Sequence, residues 1–326
     1  MIGIAVKCAS ASLSPPMTVV VVGSIAFDAV KTPFGERERM LGGSAVHFAL
    51  AASFFTEVRM VGPVGADFGE EEYALLRARG INTDDIEQIT DGKTFFWRGH
   101  YDYDLNIAHT DDIELNVFGE FQPKLSEESR SAELLFLANI QPDLQWDVRQ
   151  QCSPALTALD SRDLWIDTAR DSLVRAISVA DVVFMNDAEL RMLTEEPNLV
   201  MGARALMVMG PRVVVVKQGE YGAALFTQEG FFALPAYPLE SVLDPTGAGD
   251  SFAGGFLGYL DAHAGDDQSE DRVRRAMTYG SVLASFNVEQ FGTERVQSLT
   301  LEEINDRFAE FKRMTHFDAV PMEAGR

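Results

Sequence analysis

Short aliphatic runs alternate with helical patterns along most of this chain, and this alternation restricts the fold more than any other feature. Thr18–Ser24 has the sequence TVVVVGS, and Ser44–Phe55 combines a serine start with apolar residues on most faces. The first pattern predicts a buried strand and the second a buried helix. Similar runs (VRMVGPVG, LLFLANI, LWIDT, VVFMN and VVVVK) follow, near helical patterns such as Gly69–Gly80, SPALTAL and MGARALMVMG. We therefore predict an α/β fold, a three-layer sandwich with a mostly parallel central sheet.

Two segments interrupt the alternation. Ala29–Leu41 is typical of a hairpin, and Lys93–Phe121 is rich in aromatic residues and threonine but has no helical period. We predict that both form antiparallel strands apart from the main sheet, as a small β-strand lid over the strand ends where ligands bind. An edge extension with a structural or dimerising role is the alternative. Because an exposed strand edge with many aromatic residues favours association, we also expect a homodimer through the lid.

Composition excludes several classes of protein. The 326 residues carry a net charge of −23, which argues against nucleic-acid or anionic-membrane partners. No apolar run approaches the ~18 residues of a membrane helix, and two cysteines are too few for a disulfide framework or a zinc site. These features favour a cytoplasmic protein. The acidic surface is either ordinary or a sign of a host with high internal salt.

The domain limits follow from the two ends of the chain. Residues 1–16 contain two prolines and no periodic pattern, so we expect a dispensable N-terminal extension. The C-terminal third is helical, and its last helix opens with the capping-box pair Thr300 and Glu303. No linker separates two domains, so residues 17–320 are predicted to form one domain.

The stretch Asp244–Phe256, DPTGAGDSFAGGF, is the chemically most informative part of the sequence. Pro245 favours a turn, and the glycines of Gly247–Gly249 allow close backbone approach before a helical pattern begins at Asp250. Free amides and the positive end of the helix dipole make this position an anion site. Asp250 is then either a helix N-cap or a base beside the bound anion.

Two common phosphate-binding motifs do not fit this chain. A P-loop would need glycine where Glu87 stands, five positions before Gly92, and the dinucleotide fingerprint would need glycine or alanine in place of Phe252. Phosphoryl transfer explains the anion site and the carboxylate together. The amides would stabilise the transferring group, and Asp250 would take a proton from the attacking hydroxyl.

DPTGAGDSFAGGF resembles the C-terminal signature of the ribokinase-like, or PfkB, carbohydrate kinase family. Supporting similarities extend from Val19 to about Gly292; they are the stretches GSIAFD, GGSAVHFA, VGADFG, NDAEL and KQGEYG. The resemblance implies ATP as the donor, a magnesium ion, a sugar or sugar-like acceptor, Asp250 as the base, and the amides of Gly247, Ala248 and Gly249 as the anion hole.

The same resemblance implies roles for further residues. For the acceptor it implies Asp28, Gly42, Gly43 and Ser44. For the nucleotide it implies Asn186, Lys217, Gly219, Gly222, Thr246, Gly247 and Gly249. Glu189 would hold magnesium, acting through water, and a potassium ion could bind at Asp244 and Thr246. Each has a plainer alternative: Asn186 and Glu189 could cap a helix, the glycines could form a turn, and Asp28 could pair with a local amide.

One departure concerns the acceptor. The family commonly has asparagine after Gly-Gly, whereas this chain has Ser44, so the sugar must sit differently or a water must fill the gap. Further pocket candidates are Arg98, Asn139, Asp167 and Arg170; Arg170 would meet a carboxylate or phosphate, or form a surface salt bridge. We expect a kinase that phosphorylates a hydroxymethyl group of a sugar. A nucleoside kinase of the same family and a non-catalytic sugar-binding protein are the alternatives.

Overall fold

A computed structural model describes residues 18–265 and 270–318. Its strands, in chain order, are β1 (Thr18–Val22), β2 (Ala26–Thr32), β3 (Gly35–Gly42), β4 (Glu57–Gly65), β5 (Ile86–Ile89), β6 (Phe95–Tyr101), β7 (Ala108–Glu114), β8 (Leu134–Leu137), β9 (Leu156–Asp160), β10 (Val182–Asn186), β11 (Val213–Lys217), β12 (Ala223–Phe226) and β13 (Phe231–Leu234). Nine of them form the main sheet in the order β13-β12-β11-β10-β9-β8-β1-β4-β5. β12 runs antiparallel to both of its neighbours, β11 and β13, and all other neighbouring pairs are parallel.

Helices cover both faces of this sheet. They are α1 (Ser44–Ala52), α2 (Glu70–Ala78), α3 (Glu127–Arg130), α4 (Pro142–Gln151), α5 (Asp163–Thr168), α6 (Arg170–Ile177), α7 (Asp187–Thr194), α8 (Leu199–Val208), α9 (Ala248–Ala262), α10 (Glu270–Asn287), α11 (Glu294–Ser298) and α12 (Leu301–Thr315). The side chains of β1 alternate between two cores: Val19 and Val21 pack into one, Val20 and Val22 into the other. The predicted three-layer α/β sandwich is therefore confirmed.

A separate four-stranded sheet, in the order β3-β2-β6-β7, forms the lid. The pairs β2–β3 and β6–β7 are antiparallel, as predicted, but β2 and β6 are parallel neighbours. The predicted limits of the lid also need two corrections. Its first strand begins at Ala26 rather than Ala29, so Asp28 lies on the lid and does not end the first strand of the main sheet. The second segment ends in a 3-10 turn at Asn116–Glu120, not in a strand.

Two short apolar segments were assigned to the wrong type of element. The predicted helical pattern SPALTAL overlaps strand β9 (Leu156–Asp160), and LWIDT lies in helix α5. Periodicity cannot distinguish a four- or five-residue buried strand from a helical turn. The error matters because β9 ends at Asp160, in the middle of the candidate site.

Other local predictions are confirmed. Thr300 and Glu303 form the expected capping box at α12. Within the described ranges, no helix is both long enough and apolar enough to cross a bilayer. The predicted extension at residues 1–16 lies outside the described residues.

Candidate active site

The turn before α9 forms the centre of the candidate site. Gly247 is the N-cap of α9 with φ 74, a left-handed conformation that favours glycine. A Cβ atom there would also lie 2.2 Å from Nδ1 of His47, so the turn has room for no other residue. The N-cap is Gly247, and Asp250 lies three residues further on, in the first turn of the helix. The N-cap alternative for Asp250 is therefore wrong, and the carboxylate is available for chemistry.

Asp250 is surrounded by other charged side chains. Burial and then the charge of Asp160 raise its pKa to about 8, while Lys217 opposes the shift. Nζ of Lys217 lies 2.6 Å from Oδ2 of Asp160 and would be 2.9 Å from a Cβ at Gly249. Neighbouring carboxylates keep the pKa of Lys217 above its usual value despite burial. A charged ammonium therefore lies against the predicted anion hole.

Asp160 is a site residue that the sequence analysis missed. It is buried at the carboxyl end of β9, and its pKa is raised by burial and lowered by Lys217. A carboxylate at the end of a buried strand is the signal that a correct strand assignment would have provided.

A polar network beneath the turn fixes its shape. Nδ2 of Asn287 donates to the carbonyl of Thr246 at 2.7 Å. Oδ1 of Asn287 lies 3.0 Å from both Nδ1 of His47 and Oγ of Ser251. Burial lowers the pKa of His47, so the ring is neutral. The sequence analysis assigned no site role to His47 or to Asn287.

Asp244 anchors the same loop by both carboxylate oxygens. Oδ1 accepts from the amide of Thr246 at 2.9 Å and Oδ2 from the amide of Gly292 at 2.8 Å. The side chain is fully buried, and no salt bridge to it occurs within residues 18–265 and 270–318. Its negative charge therefore lacks an ionic partner in the described part of the chain.

Asn186 and Glu189 form a reciprocal capping box at the start of α7. Oδ1 of Asn186 accepts from the amide of Glu189 at 2.7 Å, and Oε2 of Glu189 accepts from the amide of Asn186 at 2.8 Å. Burial raises the pKa of Glu189 to about 7, and Lys217 opposes this shift. The capping alternative is thus present, and it orients both side chains beside Lys217; their predicted nucleotide and metal roles stay predictions.

The carboxylates of the site could contribute to a magnesium site, but they do not form a complete set of metal ligands by themselves. Among the described residues, no three His, Cys, Asp or Glu side chains converge as metal ligands. Magnesium needs only one or two carboxylates when it also binds waters and substrate phosphates. Asp160, Glu189 and Asp250 outnumber the single ammonium of Lys217, so a divalent cation would balance this charge.

The acceptor residues meet where the lid joins the body. Burial and then Asp244 raise the pKa of Asp28 to about 7, while the amide of Gly43 lowers it. A Cβ at Gly42 would lie 1.9 Å from Oδ2 of Asp28, so only glycine leaves space for that carboxylate. Ser44 is used internally, because its Oγ lies 3.1 Å from Oγ of Ser24 and accepts from the amide of Ser24 at 3.2 Å.

The other acceptor candidates are placed differently. Strand alternation puts Arg98 on the lid face opposite Asp28, where its guanidinium lies 3.8 Å from Glu38. Arg170 donates to the carbonyls of Met192 and Leu193, at the end of α7 far from Asn186. Other groups therefore hold both guanidinium groups in this structure, and the predicted acceptor roles of Arg98 and Arg170 stay predictions.

The two remaining acceptor candidates, Asn139 and Asp167, differ in their positions. Asn139 follows β8, and its Oδ1 accepts from Nε1 of Trp165 at 2.9 Å, so it lies at the carboxyl edge of the sheet. Asp167 is exposed on α5.

The predicted nucleotide turn has the backbone that its glycines suggest. Gly219 and Gly222 have φ 55 and φ 103 around a 3-10 turn. A Cβ at Gly222 would lie 2.1 Å from the carbonyl oxygen of Leu234. The turn follows β11, and hence Lys217, directly, so it borders the ammonium described above.

One lid contact that was not predicted closes the site. The hydroxyl of Tyr101, the last residue of β6, lies 3.1 Å from Oγ1 of Thr246 in the anion-hole loop. The lid, which carries Asp28, is thereby hydrogen bonded to the loop that carries Asp250. The arrangement brings the carboxylates of Asp250 and Asp28, the ammonium of Lys217 and the amides at the start of α9 into one cleft.

Comparisons with known proteins identify the family of this chain. Residues 18–299 match the model of the pfkB family carbohydrate kinases. A cytidine kinase of Thermococcus kodakarensis is 31% identical over 254 residues, which cover 74% of this chain and 87% of the relative. A nucleoside kinase of Methanothermobacter thermautotrophicus is 28% identical over 300 residues, 86% of this chain and 93% of the relative.

Solved structures show the same fold. The nucleoside kinase of Burkholderia thailandensis in complex with inosine has a TM-score of 0.73 at 21% identity, covering 90% of this chain and 97% of that one. The same enzyme with ADP-inosine also has a TM-score of 0.73, at 20% identity and 90% and 95% coverage. By its sequence match, its fold and the composition of its cleft, this chain belongs to the pfkB family of carbohydrate kinases.

Proposed function

We propose that this kinase transfers the γ-phosphoryl group of ATP to the ribose hydroxymethyl group of a nucleoside. The cytidine and nucleoside kinases among its relatives support the acceptor class. A nucleoside also satisfies the expectation of a sugar hydroxymethyl acceptor, because its ribose carries that group. The observation that carries the chemistry is the juxtaposition of Asp250, Lys217 and the Gly247–Gly249 amides at the start of α9.

The proposed reaction is a single displacement. Asp250 removes the proton of the acceptor hydroxyl as its oxygen attacks the γ-phosphorus, the bond to the β-phosphate oxygen breaks, and ADP leaves. The amides of Ala248 and Gly249 and the ammonium of Lys217 stabilise the charge on the transferring group. Asp28 accepts a hydrogen bond from a ribose hydroxyl, and Asn186, Gly219 and Gly222 line the nucleotide.

Magnesium, when bound, would neutralise the phosphates, and Glu189 and Asp160 are the carboxylates positioned to hold its waters. A monovalent cation fits Asp244, whose buried charge has no ionic partner in the described residues. We expect potassium to raise turnover by ordering the loop. Equal rates in potassium and in tetramethylammonium at matched ionic strength would rule this out.

We further propose a cytoplasmic homodimer joined through the lid tips. Phe34 and Tyr103 lie 6.4 Å apart on adjacent lid turns, and they expose 53% and 83% of their surface. Ile107, 63% exposed, adds to this patch. Light scattering at micromolar concentration should give twice the chain mass, and Tyr103→Ser should lower it; a monomeric wild-type protein would contradict the proposal.

An ADP-release assay tests the acceptor class. Cytidine, uridine, inosine, ribose and fructose are compared at equal concentrations, and the position of phosphorylation is read by mass spectrometry and ³¹P NMR. We expect at least one nucleoside to exceed free ribose by about tenfold or more in kcat/KM, because a bound base adds interactions that ribose lacks. Turnover of ribose or fructose with no turnover of any nucleoside would replace this proposal with a sugar kinase.

A further inference from the structure

The indole of Trp97 lies on the lid face that is turned toward the cleft. Side chains alternate along β6, so Trp97, Gly99 and Tyr101 share one face, and Tyr101 shows which face this is by its contact with Thr246. In the parallel pairing of β2 with β6, Trp97 is the direct partner of Asp28. The indole therefore sits one strand away from the carboxylate that is proposed to bind the ribose.

The ring is held flat against the lid. A Cβ at Gly99 would lie 2.3 Å from Cζ2 and 2.5 Å from Cη2 of the indole, so the benzene half of the ring covers this glycine. Nε1 donates to Oγ1 of Thr110 at 3.1 Å, and Thr110 is the cross-strand partner of Gly99. With its N–H group bonded, the remaining interaction surface of the indole is its π-face.

That π-face has no ring or guanidinium partner among the described residues, in contrast to its neighbours. Phe95 stacks on Phe118 at 5.2 Å, and Phe96 lies 5.7 Å from the guanidinium of Arg98. Trp97 is only partly buried. An immobilised indole with an open face beside a sugar-binding carboxylate fits a planar, aromatic ligand group.

We propose that Trp97 is the platform on which the nucleobase of the acceptor stacks. Adjacent strands are about 4.8 Å apart, so a nucleoside whose ribose meets Asp28 extends its base over the neighbouring strand. The inference rests on the proposed nucleoside kinase function and adds the residue that selects for a base. It also explains Gly99, because any side chain there would displace the indole.

A second copy of the chain is the less suitable occupant of this face. The Tyr101–Thr246 hydrogen bond holds this end of the lid against the body. Within the lid, the most exposed large apolar side chains are instead Phe34, Tyr103 and Ile107 on the lid turns. Trp97 is accordingly assigned to the acceptor and the lid turns to association.

The test compares acceptors with and without a base in two variants. Trp97→Leu keeps apolar volume but has no π-face, and Trp97→Phe keeps a smaller ring. Loss of one base–aromatic stack should raise the nucleoside KM about 5- to 150-fold in Trp97→Leu, with a smaller rise in Trp97→Phe. The KM for 1-O-methyl ribofuranoside should not change. Trp146→Leu, on α4 and away from the lid, controls for removing a tryptophan.

A binding measurement gives a readout that does not depend on turnover. Nucleoside should quench the fluorescence of the wild-type protein and of Trp146→Leu, and the change should be lost in Trp97→Leu. An unchanged nucleoside KM in Trp97→Leu, or an equal loss for the base-free ribofuranoside, overturns the inference while leaving nucleoside kinase activity intact. A lower mass in light scattering for Trp97→Leu also overturns it. A wild-type enzyme that phosphorylates sugars but no nucleoside refutes the proposed function itself.

Discussion

The two sides of the cleft are built on different principles. On the body side, the proposed phosphoryl-transfer residues lie at strand ends of a nine-stranded sheet covered on both faces and at the start of a helix. On the lid side, Asp28 and Trp97, which are proposed to bind the acceptor, lie on a four-stranded sheet with an exposed edge strand, β7. Asp250 and its anion hole are consecutive in sequence, whereas Asp28 and Trp97 meet only through strand register.

This difference suggests a division of roles, in which body residues carry out phosphoryl transfer and lid residues select the acceptor. A contiguous helix start can maintain one chemistry while the lid changes its side chains and hence its acceptor. Body variants should therefore reduce turnover with every acceptor, and lid variants should change the KM of the acceptor. The predictions below test this division, beginning with the largest effect.

Asp250→Asn should reduce turnover most. Asparagine keeps the size of the side chain but cannot take a proton, so kcat should fall roughly 10²- to 10⁴-fold. The ATP dissociation constant should change little or decrease, because a negative charge near the phosphates is removed. Exposed Asp306→Asn on α12 is the matched control. Near-normal turnover of Asp250→Asn would remove this residue from the mechanism.

The same variant makes a prediction for stability. The pKa of Asp250 is raised from 3.8 to about 8 in the folded protein, so the folded state holds an extra proton between these values. Stability therefore decreases as pH rises through this range, and asparagine removes this penalty. The melting temperature of Asp250→Asn relative to wild type should increase from pH 5 to pH 9. A melting-temperature difference between the variant and wild type that does not change with pH would show that burial does not raise the pKa of this carboxyl.

Lys217→Gln should have the next largest effect. Removing the ammonium leaves Asp160, Glu189 and Asp250 without their cation and the anion hole without its charge. Turnover should fall about 10²- to 10³-fold, as for the loss of a transition-state donor. Because Lys217 lowers the pKa of Asp250, the acidic limb of kcat/KM should move to higher pH. Lys312→Gln, on α12, is the control. If the acidic limb of kcat/KM stays at the same pH in Lys217→Gln, the electrostatic coupling between Lys217 and Asp250 is contradicted.

The division also explains what the sequence could predict. The body chemistry followed from DPTGAGDSFAGGF, because that motif is local and its helix start places Asp250 beside the amides. Alternating apolar runs were sufficient for the three-layer fold. Asp160 was missed because a five-residue strand was assigned to a helix.

Residues brought together by the tertiary structure were the hardest to predict. Asn287 and His47 are 240 positions apart, and neither lies in a motif that points to the other. Arg98 was predicted to be a pocket residue on the lid, but the alternation of side chains along β6 puts it on the face opposite Asp28. Register and face can be assigned only once strand partners are known.

Asp28→Asn should affect the acceptor and spare the nucleotide. Loss of a charged hydrogen bond to a ribose hydroxyl should raise the acceptor KM about 10- to 150-fold. Turnover at saturating acceptor and the KM for ATP should change much less. Glu38→Gln, on the opposite side of the lid, is the control. A large loss of turnover with an unchanged acceptor KM would place Asp28 in the phosphoryl-transfer machinery and break the division.

The bond between Tyr101 and Thr246 is the contact at which the two sides meet, and its loss should have the smallest effect. Tyr101→Phe removes only the hydroxyl, and a neutral hydrogen bond contributes about 0.5–1.5 kcal/mol. We expect about a 2- to 12-fold loss of kcat/KM, shared between acceptor KM and turnover because the bond joins lid and anion-hole loop. Tyr237→Phe, which removes a hydroxyl that donates to Glu310 away from the lid, is the matched control.

A double-mutant cycle with Thr246→Ala decides whether this bond carries the effect. Thr246→Ala removes Oγ1 but retains the backbone amide that donates to Asp244. If the Tyr101–Thr246 bond couples the lid to the loop, kcat/KM of the double variant should be no lower than that of the less active single variant. Additive losses would instead show that the two hydroxyls act separately. The lid would then hold the acceptor without influencing the geometry of the anion hole.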